Sequence, residues 1–100
     1  ETEAVKTFAD GLATRRAFEL PLEIMREKLD DFILVSDEEI REAIRLYVER
    51  AHVIAEGAGA APLAAAMKIK ERLKDRKVVL DLTGKNITAE ELRSILCRGV

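Results

Sequence analysis

The sequence predicts an α/β fold with mostly parallel strand pairing. Two short apolar runs, Phe32–Val35 and Val78–Leu82, lack the polar alternation of a half-exposed strand and are typical of strands buried on both faces. Amphipathic helical patterns flank both runs, so the predicted order is helix, strand, helix, helix, strand, helix. We expect residues 1–100 to form a single domain.

The first predicted helix runs from Pro21 to about Asp30. A proline is accepted in the first turn of a helix, and one apolar face recurs at helical spacing through Leu22, Met25 and Leu29. Residues 1–18 show no clear period. Gly11 in that stretch indicates a loop or short turn, because glycine reaches backbone angles that other residues avoid.

The second predicted helix begins at a capping box, in which Ser36 accepts from the Glu39 amide and Glu39 reaches back. We expect it to end near Ala51 or His52. Its predicted buried face consists of Ile40, Ala43, Ile44, Tyr47 and Val48. Its predicted outer face consists mostly of Arg41, Glu42, Arg45 and Glu49.

Two further helices complete the pattern. An alanine-rich helix is predicted from Leu63 to Leu73, with basic residues that suit a helix C-terminus. A second capping box, Thr88 with Glu91, opens a short last helix, and Gly99 lies past its end. The apolar face of this last helix is Leu92, Ile95 and Leu96.

Composition limits the kinds of partner and compartment. Hydrophobic residues make up 48% of the 100, but much of that is alanine and only 4% is aromatic, so we expect a thin core. The net charge of −2 is well mixed, which indicates no nucleic-acid or anionic-membrane partner. No apolar run reaches the roughly 20 residues of a membrane span. Cys97 is the single cysteine, so no internal disulfide forms, and a cytoplasmic location is expected.

Three glycine-bearing segments interrupt the amphipathic pattern: Thr7–Ala13, Glu56–Pro62 and Thr83–Asn86. Ligands of open α/β sheets bind beyond the carboxyl ends of the strands, where the third segment lies. The second segment leads into a helix N-terminus, which favours anions. The alternatives are structural: close packing at Gly57 and Gly59, and a simple turn in the third segment.

Histidine and cysteine, the other residue types that often act in catalysis or metal binding, each occur once in the sequence. His52 has no second histidine or cysteine partner in the pattern, so we interpret it as a helix cap or surface residue. Cys97 beside Leu96 is interpreted as a small helix residue. No dinucleotide fingerprint, phosphate loop, paired-cysteine or zinc-protease motif is present. These patterns alone predict an α/β domain with three glycine-bearing edges.

Four segments together resemble the threonine and serine dehydratases. Thr7–Ala13 (TFADGLA) resembles the family's T-[IF]-A-D-G-[LIV]-A, and Asp30–Ile40 (DDFILVSDEEI) resembles its DD-hydrophobic-VS-[DE]-EEI stretch. Glu56–Ala61 (EGAGAA) is similar to its E-G-A-G-A signature, and Leu82–Ile87 (LTGKNI) to L-S-G-G-N-[IV]. Each motif is weak alone, whereas four at matching spacing are specific.

The resemblance implies a partial three-layer Rossmann-like domain: the C-terminal part of the large domain of a fold type II pyridoxal-phosphate enzyme. Such enzymes deaminate threonine or serine to a 2-oxo acid and ammonia, and relatives racemise serine. Their Schiff-base lysine, its Ser-Phe-Lys motif and the tetraglycine phosphate loop are absent from residues 1–100 and are expected before Glu1. We therefore expect no catalytic residue, no metal and no bound cofactor in this chain alone.

The resemblance also implies which residues would face pyridoxal phosphate in the intact enzyme. Thr83, followed by Gly84, matches the hydroxyl residue that faces the pyridine nitrogen, with threonine replacing the usual serine. Glu56 matches a carboxylate near the cofactor. Asp10 and Gly11 match a loop beside the ring and the amino-acid substrate. Lys85 replaces the second glycine of the motif, and we expect its side chain to crowd the turn or demand another backbone angle.

Two hypotheses from other classes stay open beside the dehydratase fragment. One is a stand-alone interaction or oligomerisation domain derived from such an enzyme, and the other is a small-anion module at Glu56–Pro62. A homodimer or higher oligomer is expected for this chain under every hypothesis, because two short strands leave unpaired edges. The stripe from Ile40 to Tyr47 offers a further face for a second copy. Threonine, serine and racemase chemistry are not distinguished.

Overall fold

The computed structural model describes residues 7–12 and 19–97. The helices and helical turns within these ranges are a 3-10 turn Asp10–Leu12, α1 Glu19–Lys28, α2 Asp37–Leu46, a π-helical turn Tyr47–Ala51, α3 Gly57–Lys68, a 3-10 turn Lys70–Leu73 and α4 Ala89–Leu96. Helix α2 packs against both α3 and α4, and the turn Asp10–Leu12 packs on α3. Helix α1 has no buried residue.

The core lies between α2, α3 and α4. Its buried side chains are Ala9, Ile40, Ala43, Ile44, Ala55, Ala60, Ala64 and Ile95. Ile44 is the largest fully buried side chain, and most of the others are alanines, so the thin core predicted from composition is confirmed. The apolar stripe beginning at Ile40 is buried within the chain itself. It is therefore wrong to assign that stripe to contact with a second copy.

Helix α2 begins as its sequence predicts, and the π-helical turn that continues it past Leu46 ends where the sequence predicts, at Ala51. The Ser36 amide donates to Glu39 Oε1 at 2.8 Å and the Glu39 amide donates to Ser36 Oγ at 3.1 Å, which confirms the capping box. After the π-helical turn, His52 takes a left-handed conformation with φ of 57° and its amide donates to the Tyr47 carbonyl. Its interpretation as a helix cap is confirmed.

Arg45 is buried, which corrects the prediction that it lies on the outer face of α2. Its Nε donates to the Ile95 carbonyl at 2.7 Å, and its Nη1 lies 2.8 Å from Glu42 Oε2 and 3.3 Å from Glu38 Oε1. A guanidinium with three oxygen partners is satisfied at low exposure. The prediction failed because the charge pattern of α2 alone cannot show that a carbonyl of α4, that of Ile95, accepts a hydrogen bond from Arg45.

The other helix boundaries differ from the predictions. Helix α3 starts at Gly57, six residues before the predicted Leu63, because Glu56 is its N-cap, and Pro62 lies inside it. At α4, Thr88 Oγ1 accepts from the Glu91 amide at 3.1 Å, which forms one half of the predicted capping box. Cys97 is the exposed C-cap of α4. The predicted position of Gly99 lies outside the described residues.

Neither predicted strand is a strand in the structure. No regular structure is assigned over 31–36 or 76–88, and no backbone hydrogen bond joins the two apolar runs to any other described segment. Phe32 is 71% exposed, Leu34 75% and Val79 96%. A strand exists only through a ladder with a neighbour, and local apolar composition supplies none. The first run is instead tied by side chains: Lys68 Nζ donates to the Leu34 carbonyl at 2.7 Å.

Candidate functional site

An open groove of about 1130 Å³ runs along one side of α3. One wall is the segment from Phe32 to Asp37, and the floor is the exposed side of α3, including Ala58, Ala61 and Pro62. Two residues assigned to the cofactor by the resemblance, Gly11 and Thr83, line it. The groove therefore brings together ends of all three glycine-bearing segments.

The glycines of these segments serve close packing. A Cβ at Gly11 would lie 2.7 Å from the Ala58 Cβ, and one at Gly57 would lie 3.0 Å from Ala9. A Cβ at Gly59 would lie 2.5 Å from the Gly84 carbonyl oxygen. None of these glycines has a positive φ. Glycine is therefore required at each position because a side chain would not fit there, and not because of an unusual backbone angle. The packing alternative for Gly57 and Gly59 is confirmed, and it is what brings the three segments together.

Glu56 and Gly84 are in direct contact at the start of α3. The Glu56 amide donates to the Gly84 carbonyl at 3.1 Å, and Glu56 Oε1 accepts from the Asn86 amide at 3.4 Å. A Cβ on Gly84 would overlap Glu56 Oε1. Although Glu56 is the N-cap residue, its side chain makes no capping hydrogen bond. Its carboxylate at the helix start also disfavours a small anion there, which weakens the anion-module hypothesis.

The loop Thr7–Ala9 is held by residues that the sequence patterns did not single out as site residues. Thr7 Oγ1 donates to Asp37 Oδ1 and accepts from the Ala9 amide at 3.2 Å. The Arg41 guanidinium lies 4.7 Å from the centre of the Phe8 ring, a cation–π contact. Asp37 and Arg41 therefore position the loop that leads to Asp10 and Gly11. No sequence signal marked them, because their partners are about 30 residues away.

The turn after Leu82 places Thr83 in the groove with an exposed side chain. Its hydroxyl has no hydrogen-bond partner among residues 7–12 and 19–97 and is free to meet a ligand. Lys85 is also exposed, and among the described residues only His52 and Asp75 combine a side chain with positive φ. The exposed Lys85 side chain does not crowd the turn, while the effect of replacing the family's glycine on the backbone angle stays a prediction.

The carboxylates of Asp37 and Asp81 line the groove, whereas Asp31, Glu39 and Tyr47, whose pKa values are shifted, are not part of its lining. Hydrogen bonds from the Ser36 amide and hydroxyl, together with Lys68, lower the pKa of Glu39 below its ordinary 4.5, although partial desolvation opposes them. The amide of Phe32 and the side chain of Arg72 lower the pKa of Asp31 below 3.8. Burial raises the pKa of Tyr47 above 10.0.

The chemistry available in the groove is limited. Its described lining contains no lysine, cysteine or histidine and therefore no imine-forming amine. Besides apolar surface it offers the hydroxyls of Thr7, Ser36 and Thr83 and the carboxylates of Asp37 and Asp81. Within the described ranges, no group of three or more His, Cys, Asp or Glu side chains is arranged to hold a metal ion. None of the described helices is long and apolar enough to cross a membrane. The described lining thus lacks the amine that would bind a carbonyl ligand covalently.

Comparison with known proteins places this geometry in context. The family model described as "Pyridoxal-phosphate dependent enzyme" matches residues 1–84. L-threonine ammonia-lyase of Thermotoga maritima is 36% identical over 98 residues, which cover 98% of this chain and 24% of that protein. Serine racemase of Schizosaccharomyces pombe is 34% identical over 91 residues, which cover 91% of this chain and 28% of that protein.

A further curated relative and a solved structure are similar to this chain as well. L-threonine dehydratase catabolic TdcB of Escherichia coli K12 is 38% identical over 89% of this chain and 28% of its own length. The crystal structure of serine racemase from Dictyostelium discoideum superposes with a TM-score of 0.73 at 36% identity, and the match covers 86% of this chain and 29% of that one. The chain therefore spans between 24% and 28% of the length of these curated relatives.

Proposed function

This chain belongs to the family of pyridoxal-phosphate-dependent enzymes, and from that premise we propose that it forms one wall of the cofactor site of a threonine/serine dehydratase. The reaction is the conversion of L-threonine or L-serine to a 2-oxo acid and ammonia. Two of the relatives above support this reaction class through their names, L-threonine ammonia-lyase and L-threonine dehydratase, whereas the name serine racemase denotes a different reaction of serine. A cytoplasmic location and a single domain over residues 1–100 belong to the same proposal.

The observation that carries the proposal is the position of Thr83. Its exposed side chain lines the groove and has no partner among the described residues, which suits a hydroxyl that hydrogen-bonds the edge of an aromatic ring. Small residues of α3, Ala58 and Ala61, leave room for a flat ligand beside it. When bound, pyridoxal phosphate supplies an electron sink for amino-acid chemistry. This chain supplies the hydroxyl contact and the apolar wall, and Gly84, Glu56, Asp10 and Gly11 belong to the same proposed site.

The two apolar runs become paired strands in the intact domain under this proposal. Phe32 and Leu34 alternate as exposed side chains on one run, and Val79 is the most exposed on the other. Apolar segments exposed to this extent are stabilised when neighbouring strands and helices cover them. Pairing with residues outside the 100 would complete an α/β sheet with parallel neighbours.

Isolated chain and chimera together test the function. Residues 1–100 alone should release no ammonia from L-threonine or L-serine with added pyridoxal phosphate, because the described lining of the groove holds neither a lysine nor a phosphate loop. The matching segment of the Thermotoga maritima L-threonine ammonia-lyase is then replaced by this chain. The chimera should retain bound cofactor after gel filtration and form 2-oxobutanoate from L-threonine.

The two outcomes separate the parts of the proposal. Measurable 2-oxobutanoate from the isolated chain above a no-protein blank contradicts its inactivity. A chimera with the parent's circular dichroism spectrum and no bound cofactor contradicts the assignment of the wall. An absorbance band from the isolated chain decides nothing, since exposed lysines such as Lys85 react with free pyridoxal phosphate.

A second candidate is a stand-alone oligomerisation domain, and the exposed apolar runs favour it. Apolar side chains as exposed as Val79 and Leu34 favour association with a second chain. We propose that copies of this chain associate through these two runs, and not through the α2 stripe, which is buried. The two candidates are compatible, because the same runs would pair with other strands in the intact enzyme.

A further inference from the structure

We propose that Glu56 is a positioning residue for Thr83, acting through the backbone of the turn 83–86 and not through direct contact with the cofactor. This inference rests on the proposed function. The inference adds to the proposed function a specific structural role for the Glu56 carboxylate. The resemblance implied only that Glu56 lies near the cofactor, and Glu56 is absent from the described lining of the groove.

The contacts of Glu56 point away from its own helix. Ser36 and Thr88 cap α2 and α4 with their side chains, whereas Glu56, in the same N-cap position, makes no side-chain capping bond. Its Oε1 instead accepts from the Asn86 amide, 30 residues further along the chain. Its backbone amide donates to the Gly84 carbonyl at 3.1 Å. One residue thus holds the turn on both sides of Lys85.

Gly84 completes the interlock. The space that a Cβ would take at Gly84 is occupied by the Glu56 carboxylate, and its own φ is not positive. The glycine is therefore required by the carboxylate and not by the turn's backbone angles. Gly59, on the next turn of α3, approaches the same peptide. Since Thr83 immediately precedes Gly84, fixing this peptide fixes where the Thr83 side chain enters the groove.

Geometry and charge make different predictions for variants of Glu56. Glu56→Gln keeps the length and the carbonyl oxygen that accepts from Asn86, while Glu56→Asp keeps the charge and shortens the reach by one methylene. A positioning role predicts that Gln preserves the turn and Asp does not. An electrostatic role toward the cofactor predicts the reverse. Glu90→Ala, an exposed glutamate in the first turn of α4, is the matched control.

The first experiment uses the 100-residue chain and amide NMR with hydrogen exchange. Glu56→Ala and Glu56→Asp should shift the Gly84 and Asn86 amides and speed their exchange several-fold. Glu56→Gln and Glu90→Ala should leave both close to the parent. If Glu56→Ala unfolds the chain, the comparison of Glu56→Gln with Glu56→Asp still tests the positioning role. Unchanged Gly84 and Asn86 amides in Glu56→Asp overturn the inference, as does equal disruption by Gln.

The second experiment measures pyridoxal-phosphate affinity in the chimera. Glu56→Ala should weaken binding as Thr83→Ala does, and the double variant should be no weaker than the weaker single variant within about twofold. Glu56→Gln should restore affinity. Independent, multiplying effects of the two substitutions overturn the positioning role. A parent chimera that binds no cofactor refutes the proposed function instead, while the NMR result on the turn stands separately.

Discussion

Arg45 on α2 donates from Nε to the backbone carbonyl of Ile95 on α4, at 2.7 Å and in a buried position. This bond joins two helices whose apolar contact is small, and the same guanidinium binds Glu42. Removing the side chain leaves a carbonyl without its partner. Leaving such a group unsatisfied costs roughly 1–3 kcal/mol.

Arg45→Met should therefore lower the free energy of unfolding by about 1–3 kcal/mol, measured by urea denaturation followed by circular dichroism. Methionine fills similar volume without donating a hydrogen bond. Arg93→Met, an exposed position on α4, is the control and should change stability by less than about 0.5 kcal/mol. Equal stability of the two variants would show that the Arg45–Ile95 bond does not hold α4.

Stability should fall in acid partly because of Glu39. The hydrogen bond from the Ser36 amide lowers the pKa of Glu39 in the folded chain below its ordinary 4.5. A depressed carboxyl pKa stabilises the fold above the unfolded value, and this contribution is lost as pH falls through the folded pKa. Glu39→Gln should flatten the loss of stability below that ordinary value.

Gly59→Ala should destabilise the chain even though alanine is the better helix former. The new Cβ would lie 2.5 Å from a backbone oxygen, that of Gly84, and backbone cannot rotate away as a side chain can. Overpacking of this kind costs about 1–3 kcal/mol. Ala66→Gly in the same helix should cost about 1 kcal/mol from propensity alone. A stabilised Gly59→Ala variant in thermal unfolding would show that the turn is not pressed against α3.

Thr83→Ala should weaken pyridoxal-phosphate binding by the chimera and leave its folding nearly unchanged. The exposed hydroxyl makes no bond within the described residues, so its removal deletes one ligand contact, about 0.5–1.5 kcal/mol of binding. Equilibrium titration of the cofactor measures the change. Thr83→Ser keeps the hydroxyl and should keep the affinity. Cofactor affinity and turnover equal to the parent in Thr83→Ala would remove Thr83 from the site.

Self-association should depend on the apolar runs. Light scattering coupled to size exclusion should give a mass above 11.2 kDa that rises with concentration. Leu34→Lys combined with Val79→Lys should return the mass toward one chain, because buried charge opposes strand docking. Met67→Lys, another exposed apolar position, is the control. A mass near 11.2 kDa at all concentrations excludes association of the parent chain.

Local signals are sufficient for the elements that begin and end within one stretch of chain. The capping box at Ser36 and the helix end at His52 each involve contacts only a few residues apart, and both are confirmed. Four sequence motifs identify the family, and the match to the pyridoxal-phosphate-dependent enzymes confirms it. Predictions fail where the partner is remote. The predicted start of α3 is wrong because its glycines, taken locally, indicate a loop.

The two predicted strands also show that local sequence does not record remote partners. Phe32–Val35 has the composition of a buried strand, yet a strand also requires a neighbouring backbone, and none is present among the described residues. Arg45 and Asp37 carry long-range roles that alternation and charge patterns do not record. Of the site, the sequence indicates Thr83 and Gly84, whereas the interlock of Gly84 with Glu56 is visible only in three dimensions.

The interlock of Glu56 with Gly84 also has a consequence for the order of folding. Helices α2 and α4 carry capping signals next to their own first turns, so each can nucleate early from local contacts. The turn 83–86 has no comparable local support, and its partners lie about 30 residues earlier. Closing a loop of that length comes at an entropic penalty before any contact compensates it. We expect the turn that carries Thr83 to settle last, after α3 has formed, and a transition state in which substitutions at Glu56 alter unfolding rates more than folding rates.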